Sequence, residues 1–277
     1  MTWHAQLQLE YQLENQKTVC RHLHTGPLRI LQSLYPEGDT VCHNVLVHPP
    51  GGLVGGDTLD IDVRVASGAH GLITTPGATR FYRSEGGMAL QSTTIKLDSG
   101  ARLEWLPLEA LCYSGCMATN RLVMDLAPSA ELIGWDVTAL GLPNANLPFE
   151  QGEFLQHIEL KDQWLERGRI AAKDALLLDS PLGLAGHRCI ASLFFISGAP
   201  IARHRKEHAL EAARTVSSSH TLASTVGVTN PHPQVIVVRV LSPLVESAMG
   251  LLRNIREVWR SELWGLKNEH PPRIWST

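Results

Sequence analysis

The first fourteen residues alternate between apolar and polar side chains, and this pattern constrains the fold more than any other. The apolar positions are Trp3, Ala5, Leu7, Leu9, Tyr11 and Leu13, and the polar positions are His4, Gln6, Gln8, Glu10, Gln12 and Glu14. A period of two predicts a β-strand with one buried face. The same alternation returns over residues 59–65, which predicts a second half-buried strand.

Shorter β-like runs follow, separated by Gly, Pro, Asn or Asp. We predict strands at 41–47, 69–74, 90–97, 102–106, 121–126, 132–140, 154–160, 188–196, 221–226 and 235–241. Strands at this spacing, without helices between them, argue against a parallel α/β sheet. They favour a sandwich, a barrel or a β-helix-like stack within one domain over residues 1–277.

Two helices are predicted late in the chain, at residues 203–216 and 243–264. The second carries an apolar stripe, formed by Val245, Met249, Leu252, Ile255 and Trp259. Its predicted start has Ser242 as N-cap and Pro243 in the first turn, and Gly265 is its predicted stop. Residues 265–277 are predicted to form a tail.

Charge and cysteine usage limit the functional classes. The net charge is −3 and the basic residues are dispersed, so no nucleic-acid partner is expected. Five scattered cysteines favour a reducing compartment over a disulfide scaffold. Without a signal-peptide pattern or an apolar run of roughly 18 residues, we expect a cytoplasmic protein with no membrane contact. Only 18% of residues are charged, which favours a surface that binds partners.

Sequence motifs give little support for catalysis. The chain has no Gly-x-Ser-x-Gly, His-Glu-x-x-His, Cys-x-x-Cys or phosphate-loop pattern. The glycine-rich stretch 51–57 lacks the phosphate-loop lysine and leads into a predicted strand rather than a helix. We interpret it as a tight turn that needs positive φ at several positions.

Several of the 13 histidines are spaced as metal ligands could be. His22 and His24 would share a strand face, and His204 and His208 would share a helix face. Cys112 and Cys116 are too far apart for the usual zinc knuckle, and no second pair lies nearby. Each of these pairs would need two further ligands, so a structural or solvated role is the alternative for all of them.

Carboxylates suit a cation that is passed along as well as one that is fixed. The candidates are Asp57, Asp60, Asp62, Glu104, Asp136 and Glu166. Asp60 and Asp62 are expected on the solvent-exposed face of a strand. Glu104 and Asp136 each adjoin a tryptophan, where burial would require hydrogen-bonding partners or a polar channel. The alternative for any one of these carboxylates is an ion pair with an arginine.

Longer sequence segments are more specific than any single motif. The two longest are His48-Pro49-Pro50-Gly51-Gly52-Leu53-Val54-Gly55-Gly56-Asp57 and Thr74-Thr75-Pro76-Gly77-Ala78-Thr79-Arg80-Phe81-Tyr82-Arg83-Ser84. Shorter ones are Gly26-Pro27-Leu28-Arg29, Tyr35-Pro36-Glu37, Leu103-Glu104-Trp105-Leu106-Pro107, Gly134-Trp135-Asp136 and Pro272-Arg273-Ile274-Trp275. In this order, and over nearly the whole chain, they resemble the UreD (UreH) family of urease accessory proteins.

The resemblance implies a β-helix-like stack with two helices and no catalytic activity. It implies a scaffold that binds the urease apoprotein together with the helical accessory protein UreF and the nickel-linked GTPase UreG. It also implies an internal polar tunnel for transient Ni²⁺, with no permanently bound cofactor. By correspondence with the family, Asp57, Ser84, Asp136 and Glu166 would line this tunnel, and we add Glu104 as a further candidate.

Two departures from the family pattern reduce what the resemblance implies locally. Leu142 replaces a usual arginine, so a basic partner contact is expected to be missing there, and Leu108 replaces a usual glutamine. Two other functions stay open. One is a urease-binding chaperone that conducts no nickel, and the other is a metal-dependent hydrolase that uses the histidines.

Overall fold

A computed structural model describes residues 2–266 and 271–276, and strands dominate these residues. The strands are β1 (His4–Glu14), β2 (Lys17–Thr25), β3 (Arg29–Ile30), β4 (Val41–Val47), β5 (Gly52–Leu53), β6 (Thr58–Val65), β7 (His70–Thr74), β8 (Thr79–Phe81), β9 (Ala89–Leu97), β10 (Arg102–Leu106), β11 (Ala110–Cys112), β12 (Cys116–Leu126), β13 (Glu131–Leu140), β14 (Gly152–Leu160), β15 (Trp164–Ala171), β16 (Cys189–Ser197), β17 (Val226–His232) and β18 (Val235–Ser242). The helices are α1 (Ala175–Asp179), α2 (Arg203–Ser218) and α3 (Val245–Trp264), with short 3-10 turns at Pro143–Ala145 and Arg273–Ser276.

The middle of the chain winds through successive coils of a β-helix. Strands β4, β7, β10 and β13 stack in parallel on one face, and β6, β9, β12 and β14 stack in parallel on the opposite face. The short strands β5, β8 and β11 form a narrow third face. The β-helix-like stack that the resemblance implies is therefore confirmed, and the distorted sandwich is not needed to describe it.

Other strands extend both large faces into sheets. Sheet A has the order β15-β14-β12-β9-β6-β1-β2, and the main path of sheet C has the order β17-β18-β16-β13-β10-β7-β4-β3. Beyond β13, sheet C continues as antiparallel strands, whereas sheet A ends one strand beyond β14. Sheet C is therefore the wider sheet at this end of the stack.

Buried side chains pack in an inner core and in a helix-side core. The inner core lies between the sheets and includes Leu7, Leu103 and Phe154. The helix-side core lies between sheet C and helices α2 and α3, and it includes Trp135 and Trp259. Because sheet C is covered on both faces, all ten residues of β13 are buried, and the strand lacks an exposed polar face.

Helix α3 confirms its predicted apolar stripe but not its predicted start. Met249, Leu252 and Trp259 are buried in the helix-side core. The helix begins at Val245, after Leu244, whereas Ser242 is the last residue of β18 and pairs with Cys189. The predicted N-cap at Ser242 is therefore wrong, because ladder pairing holds this residue in the strand.

The end of α3 is as predicted, with Gly265 in the left-handed region at φ 65°. Of the predicted tail, residues 267–270 and 277 lie outside the described residues. The part at 273–276 forms a 3-10 turn, and the ring of Trp275 lies 5.2 Å from the ring of Trp135.

Several other elements differ from the predictions. Residues 221–225 form turns, and the strand predicted at 221–226 is β17, which starts at Val226. Strands β2, β3, β5, β8, β11 and β15 and helix α1 are missing from the predicted elements, although His22 and His24 of β2 were expected to share a strand face. Much of β2 and β15 is exposed or only partly buried. Neither strand therefore has the clear contrast between a buried and a solvent-exposed face that predicts a strand from sequence.

The glycine-rich segment is explained by close contact between neighbouring coils. A Cβ atom on Gly52 would lie 2.4 Å from Cε2 of Tyr82. A Cβ atom on Gly55 would lie 2.0 Å from Oγ of Ser84 and 2.2 Å from the carbonyl oxygen of Gly86. The segment 48–57 therefore packs directly on the segment 74–84 of the next coil, and only glycine fits at these contacts.

We expect Gly55→Ala to destabilise the fold by about 1–3 kcal/mol, the usual cost of forcing atoms into a packed site. Chemical denaturation measures this change. The matched control is Gly77→Ala, because a Cβ atom there would meet nothing within 4 Å. Equal stability of the two variants would contradict the close-contact explanation.

Candidate functional site

Three side-chain amides line up across the inner face of sheet A. Gln91 of β9 is in register with Asn120 of β12, which is in register with Gln156 of β14. The Nε2 of Gln91 donates to Oδ1 of Asn120 at 3.3 Å. Neighbouring inward positions are apolar, such as Leu122 and Phe154, so the amides form a polar layer inside an otherwise apolar core.

Asp136 faces this layer from β13 of sheet C and is only 8% exposed. Its carboxylate accepts hydrogen bonds from Nδ2 of Asn120 at 2.9 Å and from Nε2 of Gln156 at 2.5 Å. A third contact comes from Oγ1 of Thr138 at 3.4 Å. Asp136 thereby joins the two sheets through polar side chains.

The pKa of Asp136 is raised to about 6, mainly by burial, and the negative charge of Glu166 contributes to this rise. The hydrogen bonds from Gln156, Thr138 and Asn120 act in the opposite direction, because they stabilise the carboxylate. Near neutral pH the group is therefore mostly ionised but close to its titration range. A carboxylate with such a pKa gains or loses a proton near neutral pH without a large change in free energy.

Glu166 and Arg239 extend the polar layer toward the surface. Glu166 lies on β15, and its carboxylate accepts two hydrogen bonds from the Arg239 guanidinium of β18, one of them at 3.1 Å from Nε. Arg239 is in register with Ser192, which is in register with Asp136. The side chains of Glu166 and Arg239 are 25% and 42% exposed.

The opposite end of the layer opens into a surface cleft of about 230 Å³. Gln91 lines this cleft together with His48, Thr75 and Arg80, which belong to the two long sequence segments described above. We name the set Gln91, Asn120, Asp136, Gln156, Glu166 and Arg239 the inter-sheet polar row, in which hydrogen bonds join the first four side chains to one another and the last two to each other. It leads from the cleft, past a buried carboxylate, to a partly exposed ion pair.

Asp57 and Ser84, two other tunnel candidates, make local contacts. Asp57 is buried, and its carboxylate oxygens accept from the backbone N–H groups of Trp3 and Val54, each at 2.9 Å. The Ser84 hydroxyl donates to the carbonyl oxygen of Gly87 at 2.9 Å. These contacts fix turns at the edge of the stack, and neither side chain has a hydrogen bond to the row among the described residues.

Glu104 lies on the other face of sheet C and is therefore separated from the row. Its carboxylate accepts a hydrogen bond from Nε of Arg256 at 2.7 Å and lies 3.0 Å from Nε of Arg260. Burial alone would raise the pKa of Glu104, but the charge of Arg256, the nearby His70 imidazole, whose Nε2 lies 3.5 Å from the carboxylate, and the charge of Arg260 hold it far below its usual range. The site is an ion-pair cluster in the helix-side core.

The predicted histidine pairs are exposed. The His22 and His24 rings stack with centroids 6.2 Å apart, and Nε2 of His208 lies 3.4 Å from Glu262. Within residues 2–266 and 271–276, no group of three or more His, Cys, Asp or Glu side chains is arranged to hold a metal ion. The assignment of these pairs to metal binding stays a prediction.

The remaining motif residues support the stack. Trp105 is buried in the inner core, whereas Trp135 points to the helix side, where its Nε1 donates to the Pro107 carbonyl oxygen at 2.6 Å. Phe81 is fully buried, and the ring of Tyr82 lies 5.0 Å from the ring of Tyr113. These contacts place the motif residues in the packing around the cleft.

Sequence reasoning missed four members of the row. They are Gln91, Asn120, Gln156 and Arg239. Gln91, Asn120 and Gln156 stand next to other polar residues in their strands and resemble ordinary solvated positions, whereas Arg239 is a lone charge in an apolar strand. All four side chains point inward, at positions where the alternating strand pattern calls for an apolar residue. A polar residue at such a position is the signal that could have identified them.

None of the described helices combines the length and the apolar character needed to cross a membrane.

Comparison with known proteins gives one consistent family. The family model described as "UreD urease accessory protein" matches residues 4–276. The chain is 65% identical over 277 residues to the urease accessory protein UreD of Variovorax paradoxus (strain S110), with the whole of both chains covered. It is 65% identical over 276 residues to that of Paracidovorax citrulli and 63% identical to that of a Polaromonas species, again over full lengths.

Proposed function

Because this chain belongs to the UreD family of urease accessory proteins, we propose that it assists nickel incorporation into urease by passing Ni²⁺ along the inter-sheet polar row. In this role it conducts the ion without catalysing a reaction. Nickel is the cargo, and no cofactor stays bound.

The observation that carries this proposal is the hydrogen-bonded set of side chains that runs from the cleft at Gln91 to the buried Asp136 and Gln156, with the Glu166 carboxylate close enough to raise the pKa of Asp136. Oxygen ligands from carboxylates and amides hold Ni²⁺ less tightly than imidazole or thiolate ligands do. Passage requires binding that is favourable enough to admit an ion and weak enough to release it. The row meets both requirements, because it combines two carboxylates, Asp136 and Glu166, with neutral amides.

The partners follow from the same assignment. We propose that the chain binds the urease apoprotein, UreF and UreG in the cytoplasm, with the α2–α3 layer receiving the accessory partner. Exposed apolar side chains on and just after α1 supply a separate surface for partner contacts, since Leu176 is 81% exposed and Leu182 is fully exposed. The low charge content of the chain supports the same interpretation.

A urease-binding chaperone that conducts no nickel is the second candidate. The observation in its favour is that the Asp136 carboxylate already accepts hydrogen bonds from Asn120, Gln156 and Thr138. A side chain bonded in this way can serve to join the two sheets and nothing more. Variants of the row separate the two candidates.

The first test measures urease purified from cells that lack this gene, beside a complemented strain. We expect intact urease subunits with little nickel and little activity in the deletion strain, and recovery of both on complementation. Nickel is determined by mass spectrometry for each mole of urease. Fully loaded, active urease in the deletion strain would refute the maturation role.

A further inference from the structure

We propose that Arg239 is a gate at the surface end of the nickel path, which blocks Glu166 in the closed state and opens when its guanidinium swings away. This inference rests on the proposed function, because it assigns a control element to the same row of side chains.

The ion pair occupies the ligand atoms that a passing cation needs. Two guanidinium nitrogens of Arg239 donate to the two carboxylate oxygens of Glu166, in the bidentate arrangement that arginine and carboxylate prefer. Both oxygens are thereby engaged by a positive group. The guanidinium charge beside both oxygens opposes the approach of Ni²⁺ to Glu166 until Arg239 moves away.

Arg239 also lies close enough to Asp136 to influence an ion there. In sheet C, Asp136 is paired with Ser192 and Ser192 is paired with Arg239, and all three side chains lie on the inner face. Two strand spacings of about 4.8 Å place the Asp136 and Arg239 backbones about 10 Å apart. In a partly buried site, a fixed positive charge near this distance opposes the approach of a divalent cation.

Exposure lets this arginine move, unlike the arginines of the helix-side core. The Arg239 side chain is 42% exposed, whereas the Arg256 side chain is 2% exposed. The Arg239 guanidinium can therefore turn into water and keep its hydration. Arg256 would have to leave a buried carboxylate, which is far more costly.

The test compares Glu166→Gln, Arg239→Met and the double variant in urease loading from purified components with NiCl₂. Glu166→Gln leaves the Arg239 charge without its partner at the end of the path, so we expect the initial rate of nickel loading to fall about tenfold. The double variant removes both charges and should load several-fold faster than Glu166→Gln. Arg239→Met alone should load at least as fast as the unmodified chain.

A structural role for the pair gives a different pattern. If Glu166 and Arg239 only hold β15 to β18, Arg239→Met slows loading as much as Glu166→Gln does, and the double variant recovers nothing. Either result overturns the gate. Gel filtration of the assembled complex and thermal unfolding of each variant confirm that the compared proteins are folded and bound.

A matched control comes from β15, the strand of Glu166, and its neighbour β14. Arg169 of β15 and Glu153 of β14 form an ion pair on the outer face of sheet A. Replacing them by Met and Gln alters a similar cross-strand pair outside the path, and nickel loading should not change. Slower loading in this control would show that loss of any ion pair on β15 explains the Glu166 result, and would overturn the gate.

Failure of the gate is distinguishable from failure of the nickel path. If Asp136→Asn slows loading but the double variant shows no recovery, the path stands and the gate is refuted. If Asp136→Asn and all three gate variants load at the normal rate, the path itself is refuted, and the gate with it.

Discussion

Replacing Glu104 with glutamine is expected to lower the free energy of unfolding by about 3–5 kcal/mol, the usual cost of removing one partner from a buried ion pair. Glu104 is fully buried, and its carboxylate contacts the guanidinium groups of Arg256 and Arg260. Glutamine keeps the shape but removes the negative charge. Arg256, itself 1% exposed, would then be left as a buried cation without its partner carboxylate.

The cluster makes this one residue important for the position of α3. Arg256 and Arg260 are both on α3, and Glu104 is on β10, so the ion pairs tie the helix to the middle of sheet C. Arg260 also contacts Glu37, whose other carboxylate oxygen lies 2.7 Å from His43. Loss of Glu104 is therefore expected to weaken the helix layer while Arg260 keeps its contact with Glu37.

Urea denaturation at neutral pH, followed by tryptophan fluorescence, measures the effect. The double variant Glu104→Gln with Arg256→Met should lose less stability than the sum of the two single variants, because it removes both members of the pair. The control is Glu207→Gln, which breaks a solvent-exposed pair with Arg203 and should leave the midpoint unchanged. A loss below about 1 kcal/mol for Glu104→Gln would show that the cluster does not hold the helix.

Glu104 and Asp136 show how much of the site could be predicted from the sequence. Each adjoins a tryptophan, which favoured burial over exposure, and both are buried. The two dipeptides have opposite order, however, since Glu104 precedes Trp105 and Asp136 follows Trp135. On neighbouring strands in register, Trp105 and Asp136 point into the inner core, whereas Glu104 points to the helix side. A shift of one residue along a strand moves a side chain to the other face of the sheet, and the sequence alone does not give the strand register.

Strand positions were easier to predict than strand partners. The boundaries of β4 and β10 agree with the predicted 41–47 and 102–106, because alternation and turn residues are local signals. The row formed by Gln91, Asn120 and Gln156 depends on stacking of coils about 30 residues apart. No local pattern specifies that stacking, and the choice of a β-helix came from the family resemblance.

Asp136→Asn is expected to reduce nickel loading of urease by about tenfold or more, because a neutral amide oxygen is a much weaker ligand than a carboxylate. The substitution preserves shape and should not unfold the chain. Burial raises the pKa of Asp136 to about 6, above the value of about 3.9 in an unfolded chain, so the ionised group costs stability above pH 6. A neutral asparagine removes that cost, although it donates where the carboxylate accepted.

The measurement pairs nickel content with complex formation. Urease is loaded with each variant, its nickel is quantified, and the accessory complex is followed by gel filtration. Asp125→Asn is the control, because Asp125 is a surface carboxylate of β12 whose side chain is 49% exposed. Low nickel in an intact complex supports conduction through the row. Loss of the complex makes Asp136 a structural link between the sheets, and normal loading favours the chaperone that conducts no nickel.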